Sequence, residues 1–135
     1  MKGMTAPGGA SIVYPGFMEP TRVLLVDPIA DDWELQAVIL RQAGFWVVEP
    51  GASPIATAIA ERPDAIVVDV SPRRIGAADF VRGIKADGRT SRIPVVLVSA
   101  YPQSDCPRTE GFVGKPNSPG ALLNELARVL EHVTS

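Results

Sequence analysis

Residues 64–71 read Asp-Ala-Ile-Val-Val-Asp-Val-Ser, a short apolar run that stops at an acid. The four apolar residues before Asp69 include three β-branched side chains, a pattern typical of a strand that is covered on both faces of a parallel sheet. Ligands of open parallel sheets collect at the carboxyl ends of the strands. Asp69 is therefore a candidate reactive group, although a lone aspartate at this place is as often a cap for the next turn or helix.

The same arrangement recurs along the chain, where further apolar runs are each followed by a polar side chain. A strand that ends in this way delivers its polar residue to one edge of a parallel sheet. A fifth apolar run completes the set of predicted strands. These runs are residues 22–26 before Asp27, residues 95–98 before Ser99, residues 111–114 before Lys115, and residues 45–48.

The first predicted helix lies between the first two strands and covers about residues 32–43. Asp31 is the expected N-cap, with Glu34 as its capping partner three positions later. Gly44 is placed where a helix commonly ends in a left-handed residue. Apolar side chains at helical spacing predict the buried face of this helix. That face comprises Leu35, Val38 and Ile39, together with Trp33 and Gln42.

Three more helices are predicted from their start signals and apolar spacing. Ser53-Pro54 starts a helix that ends before Pro63, a second covers residues 77–87, and Ser118-Pro119 starts the last. Residues 101–110 show no apolar periodicity and contain two prolines, so this segment is predicted to be a loop. Alternation of strand and helix predicts an α/β fold, a doubly wound five-stranded parallel sheet with helices on both faces.

Composition limits the function classes. The chain has 135 residues, a net charge of −2 and no basic run, which argues against nucleic acid as a direct partner. No stretch reaches membrane-spanning length. We therefore expect a cytoplasmic location and no contact with a membrane. The single cysteine, Cys106, fits a reducing compartment. Residues 1–20 are rich in glycine and proline and are predicted to be a flexible leader, with one domain over residues 21–135.

Asp27, Asp69, Ser99 and Lys115 are thus expected at one edge of one sheet. In this order they closely resemble the receiver domain of bacterial response regulators, the CheY-like fold. The resemblance runs from about Thr21 to the C-terminus. It implies the strand order 2-1-3-4-5, with the helix between strands 4 and 5 shortened or missing in this chain. Its most specific pieces are Arg22-Val-Leu-Leu-Val-Asp27, Asp64-Ala-Ile-Val-Val-Asp69, Ile93-Pro-Val-Val-Leu-Val-Ser-Ala100 and Gly111-Phe-Val-Gly-Lys-Pro116.

The resemblance implies that Asp69 is a phosphoacceptor, supplied by a sensor histidine kinase or a histidine phosphotransfer protein. A Mg²⁺ ion would use Asp27, Asp69 and the backbone carbonyl of Ser71. Ser99 and Lys115 would bind phosphoryl oxygens, and the bond before Pro116 would be cis. The chemistry is reasonable in itself, because phosphoryl transfer is catalysed mainly by positioning and charge neutralisation.

Several residues depart from the family pattern. Receivers usually end the first strand with two consecutive acids, and here the second position is Pro28. Mg²⁺ binding is therefore expected to be weak, unless Asp31 or Asp32 compensates. Ser99 and Phe112 match the switch pair of the family, with phenylalanine in place of the commoner tyrosine. Without a phenol, this aromatic ring cannot form a hydroxyl hydrogen bond.

Two functional hypotheses follow from these residues. The first is a single-domain response regulator that is phosphorylated on Asp69, is not itself an enzyme, and signals through contacts with an unidentified protein. The second is a degenerate receiver that acts as a phosphorylation-independent interaction or dimerisation module; a homodimer is compatible with either. A phosphatase of the haloacid-dehalogenase type is disfavoured because Ile29 stands where a second acid is needed, and no nucleotide-binding glycine motif follows a strand.

Overall fold

The structure is a computed structural model that describes residues 20–70, 76–116 and 118–134. All but the last residue of the predicted leader lies outside this part of the chain, as does Ser71. Within the described residues, no helix is long and apolar enough to cross a membrane.

Five parallel strands form one sheet in the order β2-β1-β3-β4-β5, which confirms the predicted fold class and strand order. Among the described residues, three helices and one short 3-10 turn connect the strands, and a fourth helix follows the last strand. The strands are β1 Arg22–Val26, β2 Trp46–Val48, β3 Ala65–Val70, β4 Val95–Ser99 and β5 Gly111–Gly114, and the helices are α1 Ala30–Gln42, α2 Pro54–Glu61, α3 Ala77–Ala86 and α4 Pro119–Thr134.

The central strand β3 is buried along its whole length because helices cover both faces of the sheet. One face packs against α1 and α4, where Val67 meets Leu40 and Leu126 in a single apolar cluster. The other face packs against α2 and α3, where Ile66 shares a cluster with Ile84. Successive side chains of a strand point to opposite faces, so the unbroken apolar run of β3 supplies both clusters.

The start and the buried face of α1 differ from the prediction. The helix begins at Ala30 with Ile29 at the N-cap position, so the expectation that Asp31 caps it was wrong. Leu35 and Val38 are 63% and 44% exposed, and Leu40 is fully buried. Apolar residues occur on every side of α1, so spacing alone did not determine its orientation. The sheet contact decides it, through the Trp33 indole N–H, which donates to the Leu25 carbonyl at 2.8 Å.

The connection between β4 and β5 contains only a three-residue 3-10 turn, Gln103–Asp105. This agrees with the predicted loss of a helix at this place. The expected cis bond also occurs, between Lys115 and Pro116. At the start of α2, Ser53 accepts a hydrogen bond from the Ala56 N–H at 3.3 Å and Pro54 is the first helical residue, as predicted.

The edge strand β5 is held by a carboxylate as well as by its ladder. The Phe112 N–H donates to Glu125 Oε2 at 2.9 Å, which joins β5 to α4. Gly111 makes this contact sterically feasible. A Cβ atom at Gly111 would lie 2.9 Å from Val96 Cγ2 and 3.1 Å from Glu125 Cγ, both closer than ordinary contact.

Gly111→Ala is therefore expected to lower the free energy of unfolding by about 1–3 kcal/mol, the usual cost of forcing an extra carbon into a packed site. Gly88→Ala is the matched control, since a Cβ there meets no atom of the described residues within 4 Å. It should change stability by no more than about 0.5 kcal/mol. Urea denaturation of both variants measures the difference, and equal effects would contradict the packing argument.

Candidate functional site

Asp69 lies at the centre of the candidate site and is the penultimate residue of β3. It pairs in register with Val98 of β4, and its residue exposure is only 5%. Burial of a carboxylate without partners is costly. Both of its oxygens accordingly have hydrogen-bond donors, one from Lys115 and one from Gln36.

Lys115 forms an ion pair with Asp69, with Nζ 2.6 Å from Oδ1. The lysine follows β5, and its backbone N–H donates to the Ser99 carbonyl at 2.7 Å, which fixes the residue next to β4. The Lys115 side chain is 28% exposed and the Asp69 side chain 3%. The pair is therefore open to solvent on the lysine side only, and the ammonium group remains able to reach an incoming anion.

Asp27 supplies the second carboxylate, from the residue after β1. Its Oδ1 accepts the Ile29 N–H at 2.9 Å, so it turns back onto the loop before α1. Burial is the main cause that raises the pKa of Asp27 to about 6, and the charges of Asp69 and Asp32 add to this rise. The Ile29 hydrogen bond and the Lys115 charge oppose it. Among the described residues, Lys115 is the one cation that both pairs with Asp69 and lowers the pKa of Asp27.

Gln36 completes the site, although no motif in the sequence pointed to it. Its Nε2 donates to Asp27 Oδ2 at 2.8 Å and to Asp69 Oδ2 at 2.9 Å, so one amide group bridges the two carboxylates. Its Oε1 is buried and has no hydrogen-bond partner among the described residues. The available signal was a polar residue between the inward positions of Trp33 and Leu40, but that signal needs the correct orientation of α1.

Ser99 and Phe112 lie on the face of the sheet that packs against α3. Phe112 pairs with Leu97 and is partly buried against the apolar cluster there. The Ser99 hydroxyl accepts the Tyr101 N–H at 2.8 Å and lies 3.4 Å from Cys106 Sγ. The hydroxyl is thus bound to its own loop. The two predicted switch residues share a face, and Ser99 stands nearer the carboxyl edge.

A cavity of about 410 Å³ opens onto this site from the side of α1 and α4. It gives access to the Lys115 and Asp69 pair from solvent. The residue that lies beyond Asp27 is an exposed proline, Pro28. The cavity is lined by Asp32, Leu35, Gln36, Ile39, Asp69, Val98, Lys115, Pro119 and Leu122.

The donor set fits a magnesium ion with few protein ligands. Asp27 Oδ2 and Asp69 Oδ2 both lie within 2.9 Å of the single atom Gln36 Nε2, so the two oxygens face one point. Mg²⁺ is commonly bound by one or two carboxylates and retains several waters. In the described part of the chain, no group of three or more acidic, histidine or cysteine side chains is arranged to hold a metal.

Comparison with known sequences finds response regulators. No protein-family model matches the chain. The nitrate/nitrite response regulator homologue of Haemophilus influenzae is 27% identical over 89 residues, which are 62% of this chain and 42% of that protein. The phosphate regulon regulator PhoB of Pseudomonas aeruginosa is 28% identical over 116 residues, which are 80% of this chain and 51% of PhoB. The alignments therefore span about half of these relatives.

Solved structures show the same fold. A response regulator from Desulfuromonas acetoxidans superposes with a TM-score of 0.69 at 22% identity, over 84% of this chain and 98% of its own. A second structure is the receiver domain of a sensor histidine kinase from Pseudomonas aeruginosa, described with a magnesium ion in its active site cleft. It superposes with a TM-score of 0.68 at 24% identity, over 83% of this chain and 95% of that chain. The chain therefore has the CheY-like fold of receiver domains, and the curated sequence relatives that it resembles are response regulators.

Proposed function

We propose that the chain accepts a phosphoryl group on Asp69 and transmits that modification through protein contacts. The observation that carries this proposal is the nearly buried Asp69 carboxylate at the carboxyl end of the central strand, with the Lys115 ammonium 2.6 Å from its Oδ1. Ligands of open parallel sheets bind at the carboxyl ends of the strands, which is where this aspartate lies. A lysine beside it supplies the positive charge that phosphoryl transfer requires.

The step is a displacement at phosphorus. An Asp69 carboxylate oxygen forms the new P–O bond, the P–N bond of a phosphohistidine donor breaks, and the released imidazole nitrogen takes a proton from solvent. Lys115 then pairs with a phosphoryl oxygen as a point charge. Ser99 donates to another phosphoryl oxygen once its hydroxyl leaves the Tyr101 loop, which couples the modification to the conformation of that loop.

Asp27 and Asp69 would hold Mg²⁺, together with the backbone carbonyl of Ser71, which lies outside the described residues. The ion would neutralise negative charge on the phosphoryl group. Binding is expected to be weak because Pro28 provides no carboxylate. One unit charge about 4 Å away contributes about 4 kcal/mol at an effective dielectric of 20 before screening. Asp32, which lines the cavity, is exposed.

Output is proposed to pass through Ser99 and Phe112. A hydroxyl that turns toward the phosphoryl group releases Tyr101 and the Cys106 contact, and space near Ser99 becomes available to Phe112. The short β4–β5 connection then changes its surface. Because this connection contains one 3-10 turn and no α-helix, the partner would bind a loop at this place and not a helix face.

The proposed partners are a sensor histidine kinase or histidine phosphotransfer protein upstream and a protein target downstream. A second copy of the chain is an alternative target. We propose a cytoplasmic location, no direct contact with nucleic acid and no turnover of a small-molecule substrate. The overall acidic charge of −2 is consistent with a protein partner more than with a polyanion.

The test is intact-protein mass spectrometry after incubation with acetyl phosphate and Mg²⁺. The wild-type chain is expected to gain one phosphoryl group, and Asp69→Asn none, since the amide is not a nucleophile toward phosphorus. Asp105→Asn is the matched control, because it makes the same change at an exposed aspartate in the β4–β5 connection. It should remain fully modifiable.

A gain of mass that persists in Asp69→Asn would place the acceptor elsewhere. No adduct in the wild type, even at high Mg²⁺ concentration, would argue against phosphorylation and for the phosphorylation-independent interaction module. In that case size-exclusion chromatography with light scattering would measure whether the unmodified chain dimerises.

A further inference from the structure

The Gln36 amide stands where two carboxylate oxygens converge. Both of its N–H groups are used, one toward Asp27 Oδ2 at 2.8 Å and one toward Asp69 Oδ2 at 2.9 Å. Its oxygen is buried and has no hydrogen-bond partner in the part of the chain that the structure describes. Among the described residues, the two carboxylates are thus the groups that orient the amide, while its carbonyl oxygen accepts no hydrogen bond.

The Gln36 amide N–H groups lie where a cation between the two carboxylates would lie. Two buried carboxylates at close range repel each other, and Lys115 faces only Oδ1 of Asp69. Donors between their remaining oxygens reduce the repulsion, because hydrogen bonds to ionised acceptors are roughly twice as strong as neutral ones. A divalent ion bound by the same two oxygens would need the same space and would remove the same repulsion.

We propose that Gln36 is a built-in occupant of the divalent-cation position, and that a metal ion binds only by displacing its amide. This rests on the metal site of the proposed function. Displacement breaks both Gln36 hydrogen bonds and turns the amide toward the cavity between α1 and α4, which Gln36 already lines. Two features then weaken metal binding independently: the carboxylate missing at Pro28 and the competing amide at Gln36.

The experiment is isothermal titration of the full chain with MgCl₂ in the absence of any phosphodonor. Gln36→Met retains the length of the side chain and removes both donors, so the metal no longer has to break them. We expect the Mg²⁺ dissociation constant to fall about tenfold, the equivalent of one charge-assisted hydrogen bond. Gln36→Asn, whose side chain is too short to bridge both acids, should also bind Mg²⁺ more tightly than the wild type. It is the second test variant if Gln36→Met does not fold.

Gln42→Met is the matched control, since Gln42 is an exposed residue at the end of the same helix. Its Mg²⁺ affinity should equal that of the wild type. A second readout is thermal unfolding. Gln36→Met should unfold at a lower temperature than the wild type in EDTA, and saturating Mg²⁺ should reduce that difference.

Equal affinity of wild type and Gln36→Met would overturn the inference while leaving the metal site intact. Weaker binding by Gln36→Met would also overturn it and would make the amide oxygen a metal ligand. If neither protein binds Mg²⁺ at any concentration tested, both the inference and the metal site fail. Phosphoryl acceptance by Asp69 is then still decided separately by the mass measurement.

Discussion

Replacing Leu40 with alanine is expected to lower the free energy of unfolding by about 2–5 kcal/mol, the usual range for a buried leucine. Leu40 is fully buried in the cluster between α1 and the sheet, so its truncation leaves a cavity. Leu35→Ala, in the same helix, is expected to change stability by no more than about 0.5 kcal/mol because Leu35 is 63% exposed.

The pair is well matched, since both substitutions replace leucine by alanine in the interior of α1. Differences in helix propensity therefore cancel. Urea denaturation followed by far-ultraviolet circular dichroism gives both free energies. If Leu35→Ala were the more damaging change, α1 would present the face that apolar spacing first indicated. The position of Gln36 beside the two carboxylates would then be wrong as well.

Lys115→Met is expected to slow the modification of Asp69 by acetyl phosphate by about 100-fold, the typical effect of removing one charge-stabilising donor from a reacting site. The lysine Nζ is 2.6 Å from Asp69 Oδ1, and the site has no second lysine or arginine among the described residues that line the cavity. This expectation rests on the proposed phosphoryl transfer. The measurement is the initial rate of mass gain at fixed Mg²⁺ concentration.

Lys85→Met is the control for loss of stability. Lys85 Nζ donates to the Ile93 carbonyl and to Glu110 Oε1, both at 2.8 Å and both remote from Asp69. This variant should lose stability and keep the wild-type rate of modification. A similar fall in rate for both lysine variants would mean that folding, and not the charge beside Asp69, limits the reaction.

The two proposals assign different roles to the residues around Asp69. Lys115 pairs with an oxygen that faces the open side, whereas Gln36 covers the oxygen that faces Asp27. Without metal, both carboxylate oxygens of Asp69 therefore accept a hydrogen bond, one from Lys115 and one from Gln36. A cation that displaces Gln36 would also free one of them, so metal binding and readiness for phosphoryl transfer would be linked through a single side chain.

Much of this protein could be derived from its sequence because the relevant signals are local. The runs of residues 23–26, 65–68 and 95–98 are apolar on both faces, a pattern typical of strands in a covered parallel sheet. Parallel strands bring their carboxyl ends to one edge, so the meeting of Asp69 with Lys115 followed from topology. The missing β4–β5 helix was indicated by two prolines in a short segment.

Tertiary structure alone decided the orientation of α1 and the position of Gln36 with it. The helix has apolar residues on several sides, so its periodicity does not distinguish the face with Leu35 from the face with Leu40. That choice depends on which side chains fit between neighbouring strands and α4, which is a property of the assembled core. Once Trp33 and Leu40 pack inward, Gln36 has to lie over Asp27 and Asp69, and the amide takes its place between two carboxylates that are distant in sequence.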